Sequence, residues 1–427
     1  MKPITTGFFS DEEVKVTTPI NKKISDTVPA CSYCKLYKSC ISPKMRPSGK
    51  GKKGILIIGE APGENEDKRG THFVDVTGRF LRERLEMFDI DLDRDCWKVN
   101  AINCRPIKKG KNREPTNKEI DYCRPIVFNA IKEYQPKVII LLGGKALRSF
   151  IGHRWKKDIG LITKWVGWNI PDQDVLAWVI PTYHPSFIVR NDHTRGEDMA
   201  LKELDKHLER AIQLTEEPVP LYPLKEQRKK VIKLNNPHEI IQYLKQINQM
   251  EGRAHAFDYE TTGLKPHSSD QKVLCASICS SFEEAYSFPL DHPKVKILFN
   301  EFLSNRRIKK VASNMKYEHN WSRVKLKTII KGWLWDTMLA AHIIDNRRGI
   351  TSLKFQTYVQ FGIVDYDSEI SRYLETGYGN DINKAETCDF DKMLEYNGLD
   401  SLFEYKLAYK QIKELGLKEK LQYFERE

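Results

Sequence analysis

Two unbroken apolar runs, each closed by a glycine-bearing loop, constrain the first half of this chain. Gly54-Ile55-Leu56-Ile57-Ile58 runs into Gly59-Glu60-Ala61-Pro62-Gly63, and Val138-Ile139-Ile140-Leu141-Leu142 into Gly143-Gly144. A strand apolar on both faces has no side to show to water, so it belongs inside a parallel sheet covered by helices. Such strands deliver the loops after them to a site at their carboxyl ends. Between the runs, Gly78 to Phe88 carries a helical stripe of Phe80, Leu81, Leu85 and Phe88, and Val99 to Cys104 reads as a further strand. Arg105 to Arg113 reads as a basic loop. Thr116-Asn117-Lys118-Glu119 is a capping box opening a helix to about Tyr134, which Pro125 should kink or restart. Leu176 to Ile180 reads as a last strand before Thr182-Tyr183-His184-Pro185-Ser186, and Glu197 to about Gln213 as a closing amphipathic helix. Alternating strands and helices predict an α/β domain with a largely parallel sheet. Pro218, Pro220 and Pro223 then mark a stiff linker, and a new strand–helix–strand pattern begins at Lys229.

The second half turns on His255-Ala256-Phe257-Asp258-Tyr259-Glu260-Thr261-Thr262-Gly263-Leu264. Alternate strand residues share a face, so Asp258 and Glu260 project together while Phe257 and Tyr259 face the other way. Paired carboxylates repel unless a cation lies between them, and hard divalent ions take oxygen ligands. D-x-E alone fits a pair of solvated charges at a strand end better than a metal site. Ala312-Ser313-Asn314-Met315-Lys316-Tyr317-Glu318 adds a third acid, and Tyr396 and Asp400 stand at i and i+4 on one helix face.

These acids and the tyrosine, in this order, resemble the three exonuclease motifs of the proofreading domain of family A DNA polymerases, over roughly residues 230–427. Thr262-Gly263-Leu264 after the first motif and Asn314-x-Lys316-Tyr317 before the third acid also match. The family usually has Asp where this chain has Glu318, a reach longer by one methylene. The resemblance implies an RNase H-like DEDD exonuclease fold. It also implies two Mg²⁺ (or Mn²⁺) ions held by Asp258, Glu260, Glu318 and Asp400. Tyr396 would then orient the attacking water, and Asn314 and Leu264 would meet the terminal nucleotide, Leu264 equally suiting a place in the core.

Nine cysteines without a secretory leader point to metal binding or buried thiols rather than disulfides. Cys31 and Cys34 form a C-x-x-C, and Cys104 and Cys123 each precede Arg-Pro. Four thiolates from separated loops suit zinc or a [4Fe–4S] cluster, and spacing does not choose.

Residues 28–215 resemble the family 4 uracil-DNA glycosylases. The shared features are that C-x-x-C, Gly59 to Gly63, Glu66-Asp67, Phe73-Val74, Asn100 before Cys104, Cys123 and His184-Pro185-Ser186. The resemblance implies a three-layer parallel-sheet fold and a [4Fe–4S] cluster on Cys31, Cys34, Cys104 and Cys123. Cys40, Cys96, Cys275, Cys279 and Cys388 are left as ordinary thiols. It implies that Phe73 stacks on an extruded base, Asn100 pairs with the uracil edge, His184 bonds the departing uracil and Glu60 positions water or stabilises the sugar cation. Thr71-His72 replaces the usual Arg-Pro, and Asp75 a glycine; a carboxylate there would repel phosphate or narrow the pocket.

The expected organisation is an arm over 1–27, a glycosylase-like domain over 28–215, a linker over 216–228 and an exonuclease domain over 229–427. The net charge of +12 and pI near 9.0 suit a polyanionic partner, here DNA as single strands or frayed 3′ ends. Mean hydropathy is −0.55 and no run reaches membrane-spanning length, so a cytoplasmic location, that of a bacterial host for a phage protein, is expected. The C-terminal segment, with Leu417, Leu421 and Phe424 at helical spacing, has no stop signal. That suggests the front of a longer polymerase or a chain acting beside one, as in large polymerases of some virulent bacteriophages. The competing expectations are a glycosylase-like DNA clamp without excision, favoured by Asp75 and Thr71-His72, and a uracil-excision repair enzyme.

Overall fold

The computed structural model describes residues 28–152, 154–155, 158–190, 195–376 and 381–425. The arm expected over 1–27 lies outside them. The first sheet contains β1 (Ile55–Gly59) and β2 (Cys96–Asn100). A small separate hairpin of β3 (Ile107–Lys108) and β4 (Lys111–Asn112) follows. The sheet continues with β5 (Val138–Leu142), β6 (Ile170–Asp172) and β7 (Ala177–Thr182), in the order β2-β1-β5-β7-β6. All neighbours are parallel except β6, which runs antiparallel to β7. Every residue of β1 and β5 is buried. Ile55 and Ile57 pack with Leu81, Leu85, Leu204 and Leu208 on one face, Leu56 and Ile58 with Val127, Phe128 and Leu147 on the other. Helices on both faces make three layers.

The second sheet holds β8 (Val231–Lys233), β9 (Ala254–Thr261), β10 (Val273–Cys279), β11 (Ala285–Pro289), β12 (Lys309–Ala312) and β13 (Trp333–Asp336), in the order β13-β12-β9-β10-β11-β8. Its centre, β9-β10-β11, is antiparallel, and β12 joins β9 in parallel. The Phe390–Glu414 helix lies across β9, β10 and β11. Phe257 and Tyr259 enter the opposite core with Phe299 and Trp321, as alternation requires.

Three local expectations need correction. The strand read over Val99–Cys104 ends at Asn100. Beyond it the Asn103 side chain donates to the Asn100 carbonyl (2.9 Å) and the Asn103 N–H to Cys123 Sγ (3.4 Å), so the backbone serves a thiol and not a ladder. Pro125 lies inside an uninterrupted helix, Asn117–Tyr134, so the helix does not restart there. Its capping box forms as expected, and the helix's buried face, Ile120, Val127 and Ile131, holds it together across the missing N–H. The basic segment 105–113 contains the β3–β4 hairpin, turned by Lys109 (φ +51°) and Gly110 (φ +76°). At the other end, the helix after Gly416 is a single turn, Lys418–Leu421, and Phe424 folds back onto Tyr405.

The two sheets share packing. Phe355 and Tyr358, on the helix Leu353–Phe361, join Trp155 and Trp165 in one cluster. The Arg154 guanidinium bonds both Asp172 oxygens (3.1 and 2.9 Å), and Tyr358 Oη donates to Asp172 (2.9 Å). Gly362 (φ +70°) closes this helix where a Cβ would lie 1.7 Å from the Pro171 carbonyl oxygen, so no other residue fits. The proline segment is strapped down too: Gln173 donates to the Pro220 carbonyl (2.9 Å) and accepts from Tyr222 N–H (2.6 Å).

Candidate active sites

In the second sheet β9 carries Asp258 and Glu260 to the face that the Phe390–Glu414 helix covers. One carboxylate oxygen each of Asp258, Glu260 and Asp400 lies within 4.8 Å of the others. This all-oxygen set, at that separation, fits a hard divalent ion, whose Mg–O contacts are about 2.0–2.1 Å. Burial, with Asp400 adding its charge, pushes Asp258 up to about 8. Burial and the Asp258 charge push Glu260 and Glu318 well above the usual carboxylate range. Such a group favours either protons or metal cations.

Neighbours fix these acids. Asn397 Nδ2 donates to Asp258 Oδ2 (2.8 Å). Lys354 Nζ (2.5 Å) and Tyr366 Oη (2.6 Å) both donate to Asp400 Oδ1. Tyr396 is buried beside them, with Lys354 Nζ 4.2 Å from its ring centre. Glu318 stands on the Met315–Lys325 helix, whose entry is held by Asp336: its carboxylate accepts from Asn314 N–H (3.1 Å) and Met315 N–H (3.0 Å). Tyr317 Oη and Thr261 Oγ1 share a 2.5 Å hydrogen bond, which ties the residues flanking the first two motifs together. Leu264 is 58% exposed at the rim.

Sequence reading missed Lys354, Tyr366, Asn397 and Glu404. Asn397 and Glu404 were legible in principle, one inside the Tyr396–Asp400 motif and the other a helical turn beyond it. Lys354 and Tyr366 carry no local signal.

In the first sheet Glu60, Asn100, Gly143 and His184 all follow or end the parallel strands β1, β2, β5 and β7, and so share the carboxyl edge. Gly59 lets two of the expected residues meet: a Cβ there would lie 2.3 Å from Asn100 Oδ1 and 2.9 Å from the Phe73 ring. Phe73 itself sits at φ +57°, its N–H donating to Glu66 Oε1. Gly143 (φ +81°) makes room for His184, whose Cβ would be 2.9 Å from an added methyl. The Ser186 N–H donates to His184 Nδ1 (3.2 Å), so the neutral ring carries its proton on Nε2. Burial, then Arg190, lowers His184 to about 4, which keeps it neutral at pH 7. Burial raises Glu60, with Lys145 opposing. Asp75 Oδ1 accepts from Asn65 Nδ2 (2.5 Å), and His72 is buried with Nδ1 2.9 Å from Ser48 Oγ.

Cys31, Cys34, Cys104 and Cys123 line one cavity together with Ile102 and Ile126. Lys44 N–H donates to Cys104 Sγ (3.2 Å), and Asn103 N–H to Cys123 Sγ. Sulfurs on one zinc ion lie within about 4.6 Å of each other, since Zn–S is about 2.3 Å. Four sulfurs around one cavity suit a single metal ion or a larger iron–sulfur group. Cys40 is close enough to bond Cys104 but does not line the cavity.

A Uracil DNA glycosylase superfamily profile matches residues 47–211, and a 3'-5' exonuclease profile matches residues 231–415. Type-4 uracil-DNA glycosylases of Sulfurisphaera tokodaii and Saccharolobus solfataricus are 33% and 36% identical over 179 and 180 residues, 41% and 40% of this chain and 78% of each relative. The DNA polymerase of Bacillus phage SP01 is 25% identical over 339 residues, which is 72% of this chain and 34% of that polymerase. Similar solved structures include Brucella melitensis NrnC with bound Mg²⁺, at 15% identity and TM-score 0.32, covering 45% of this chain and 86% of that one. Escherichia coli RNase D is another, at 12% identity and TM-score 0.33, covering 44% and 46%. The chain therefore joins a domain of the uracil-DNA glycosylase superfamily, with type-4 glycosylases as its relatives, to a 3'-5' exonuclease domain of the kind found in family A DNA polymerases.

Proposed function

We propose that the protein is a metal-dependent 3′→5′ proofreading-type DNA exonuclease whose glycosylase-like domain binds DNA, and that it works as the front part or partner of a phage family A polymerase. The observation that carries this reading is the Asp258–Glu260–Asp400 cluster within 4.8 Å, with Tyr396 beside it. The collinear similarity to a phage DNA polymerase across both halves supports the setting. The domain division proposed is 28–215 and 229–427, with the 216–228 linker between them.

Two Mg²⁺ or Mn²⁺ ions on Asp258, Glu260, Glu318 and Asp400 would supply an activated water and stabilise the leaving 3′ oxygen. Tyr396 orients that water through its hydroxyl. Lys354 holds Asp400 in place, and Asn397 holds Asp258. Leu264 and Asn314 contact the terminal nucleotide, which arrives as a single strand or frayed end.

In the first domain a [4Fe–4S] cluster on Cys31, Cys34, Cys104 and Cys123 would cross-link the segments that carry the base-reading loop. Asn103 connects the two, bonding the Asn100 carbonyl and Cys123 Sγ. Phe73 stacks on an extruded base and Asn100 reads its edge. His184 Nε2–H faces the oxygen where charge collects as uracil leaves, and Glu60 positions water. A second reading, a clamp that binds without excising, is favoured by Asp75, a fixed carboxylate beside Gly63.

One 5′-labelled single strand containing uracil, with and without Mg²⁺, tests both domains. The expected result is a 3′ ladder only with metal, lost in Asp258→Asn; a ladder in EDTA would overturn the exonuclease assignment. An alkali-labile break at uracil in EDTA would support excision, and its absence the clamp.

A further inference from the structure

We infer that Glu404 is a fifth carboxylate of the exonuclease centre and, with Glu318 and Asp258, holds the second divalent cation. The inference rests on the metal-centre reading above and extends it to a residue outside the three motifs.

Glu404 follows Asp400 by one turn of the Phe390–Glu414 helix, so the two project from one face. Its side chain is 1% exposed. Oε1 accepts from the Ser313 N–H (3.2 Å), at the entry of the segment that bears Glu318, and Oε2 has no partner. Glu318, 2% exposed, likewise has an unpartnered Oε2.

Among the described residues these are the only fully buried carboxylate oxygens without a hydrogen-bond donor. Other buried acids are supplied: Asp67 by the N–H groups of Ile41 and Ser42, Asp172 by Arg154, and Asp336 by four backbone N–H groups. A buried carboxylate left ionised without a compensating partner is strongly destabilising. Two such oxygens, on acids that both lie under the influence of Asp258, suit a bound cation.

The surroundings say where it sits. The charges bearing on Glu404 are Asp258, Glu318 and Asp400, in that order, and Asp258 is the first to bear on Glu318. Asp258, Glu260 and Asp400 form one tight set, and Glu318 and Glu404 lie outside it. Asp258, with two oxygens, belongs to both. Once ionised, the five carboxylates less the Lys354 ammonium balance two divalent cations. The second cation thus binds before DNA supplies a phosphate.

The test is Mn²⁺ binding to the whole 427-residue chain without DNA, followed by calorimetry and by the EPR signal of free Mn²⁺. The wild type should bind two ions. Glu404→Gln should weaken one at least tenfold and leave the other within twofold; Glu260→Gln should do the reverse. Glu404→Gln replaces a buried carboxyl whose Oε2 has no partner by a neutral amide of the same shape, so without metal it should melt no lower than wild type. Should it fail to fold, Glu404→Asp, which keeps the charge but shortens its reach, should weaken the same ion. Unchanged constants in the Glu404 variant, or a wild type binding one ion, would overturn the inference. No binding at all would overturn the metal centre itself.

Discussion

Phe355→Ala attacks the place where the two domains share a core, and its cost can be worked from the geometry. The ring is fully buried, 5.0 Å from the Trp165 ring, 5.9 Å from Trp168 and 6.1 Å from Trp155, with Lys164 Nζ 4.8 Å from its centre. Losing ~150 Å² of apolar burial at about 25 cal/mol/Å² removes ~4 kcal/mol, inside the ~3–5 range for Phe→Ala in cores. The lost cation–π contact adds ~0.5–1 kcal/mol. The total, ~4–5 kcal/mol, is a large part of a domain's stability. Urea unfolding followed by tryptophan fluorescence reports this junction directly. The midpoint should fall by that free energy divided by the m-value, and Phe355→Leu should recover most of it. Lys354 precedes Phe355 on the same helix and bonds Asp400, so the variant should also weaken Mn²⁺ binding. A cost under ~1 kcal/mol would refute the shared core and make the domains independent units.

Further outcomes follow from the two sites. Without metal the folded protein holds protons on Asp258, at about 8, and on Glu260 and Glu318, which the unfolded chain has released. Folded pKa values above the unfolded ones mean that this stability is lost as pH rises toward 8, so the stabilisation by Mn²⁺, read as a rise in melting temperature, should grow from pH 6 to pH 8, by about 1.4 kcal/mol per proton and pH unit. Equal shifts at both pH values would contradict it. Gly59→Ala places a methyl 2.3 Å from Asn100 Oδ1 and should abolish binding of uracil-containing DNA to the first domain while Mg²⁺-dependent laddering persists. Retained uracil preference would remove Asn100 and Phe73 from the base site. The purified protein should be brown, and Cys123→Ser should bleach it; a colourless wild type with stoichiometric zinc would overturn the cluster.

What the sequence determined by itself was whatever depends on periodicity and short spacing. The apolar runs at Ile55 and Val138 could only be central parallel strands, the D-x-E pair could only share a face, and Tyr396 and Asp400 could only share a helix side. The Thr116 capping box was a complete local device, and it forms. The tertiary structure decided whatever depends on contacts distant in the chain. Val99–Cys104 looked like one strand, but a thiol of the Asn117–Tyr134 helix takes the Asn103 N–H and ends it at Asn100. Lys354 and Tyr366 have no local pattern, because only the placement of their segment against the Phe390–Glu414 helix brings both to Asp400. Glu404 stands out only once the fold buries it and leaves its Oε2, like that of Glu318, without a donor. Local rules act over one turn or one strand, whereas the pairing of charges across a core is set only when the elements that carry them pack.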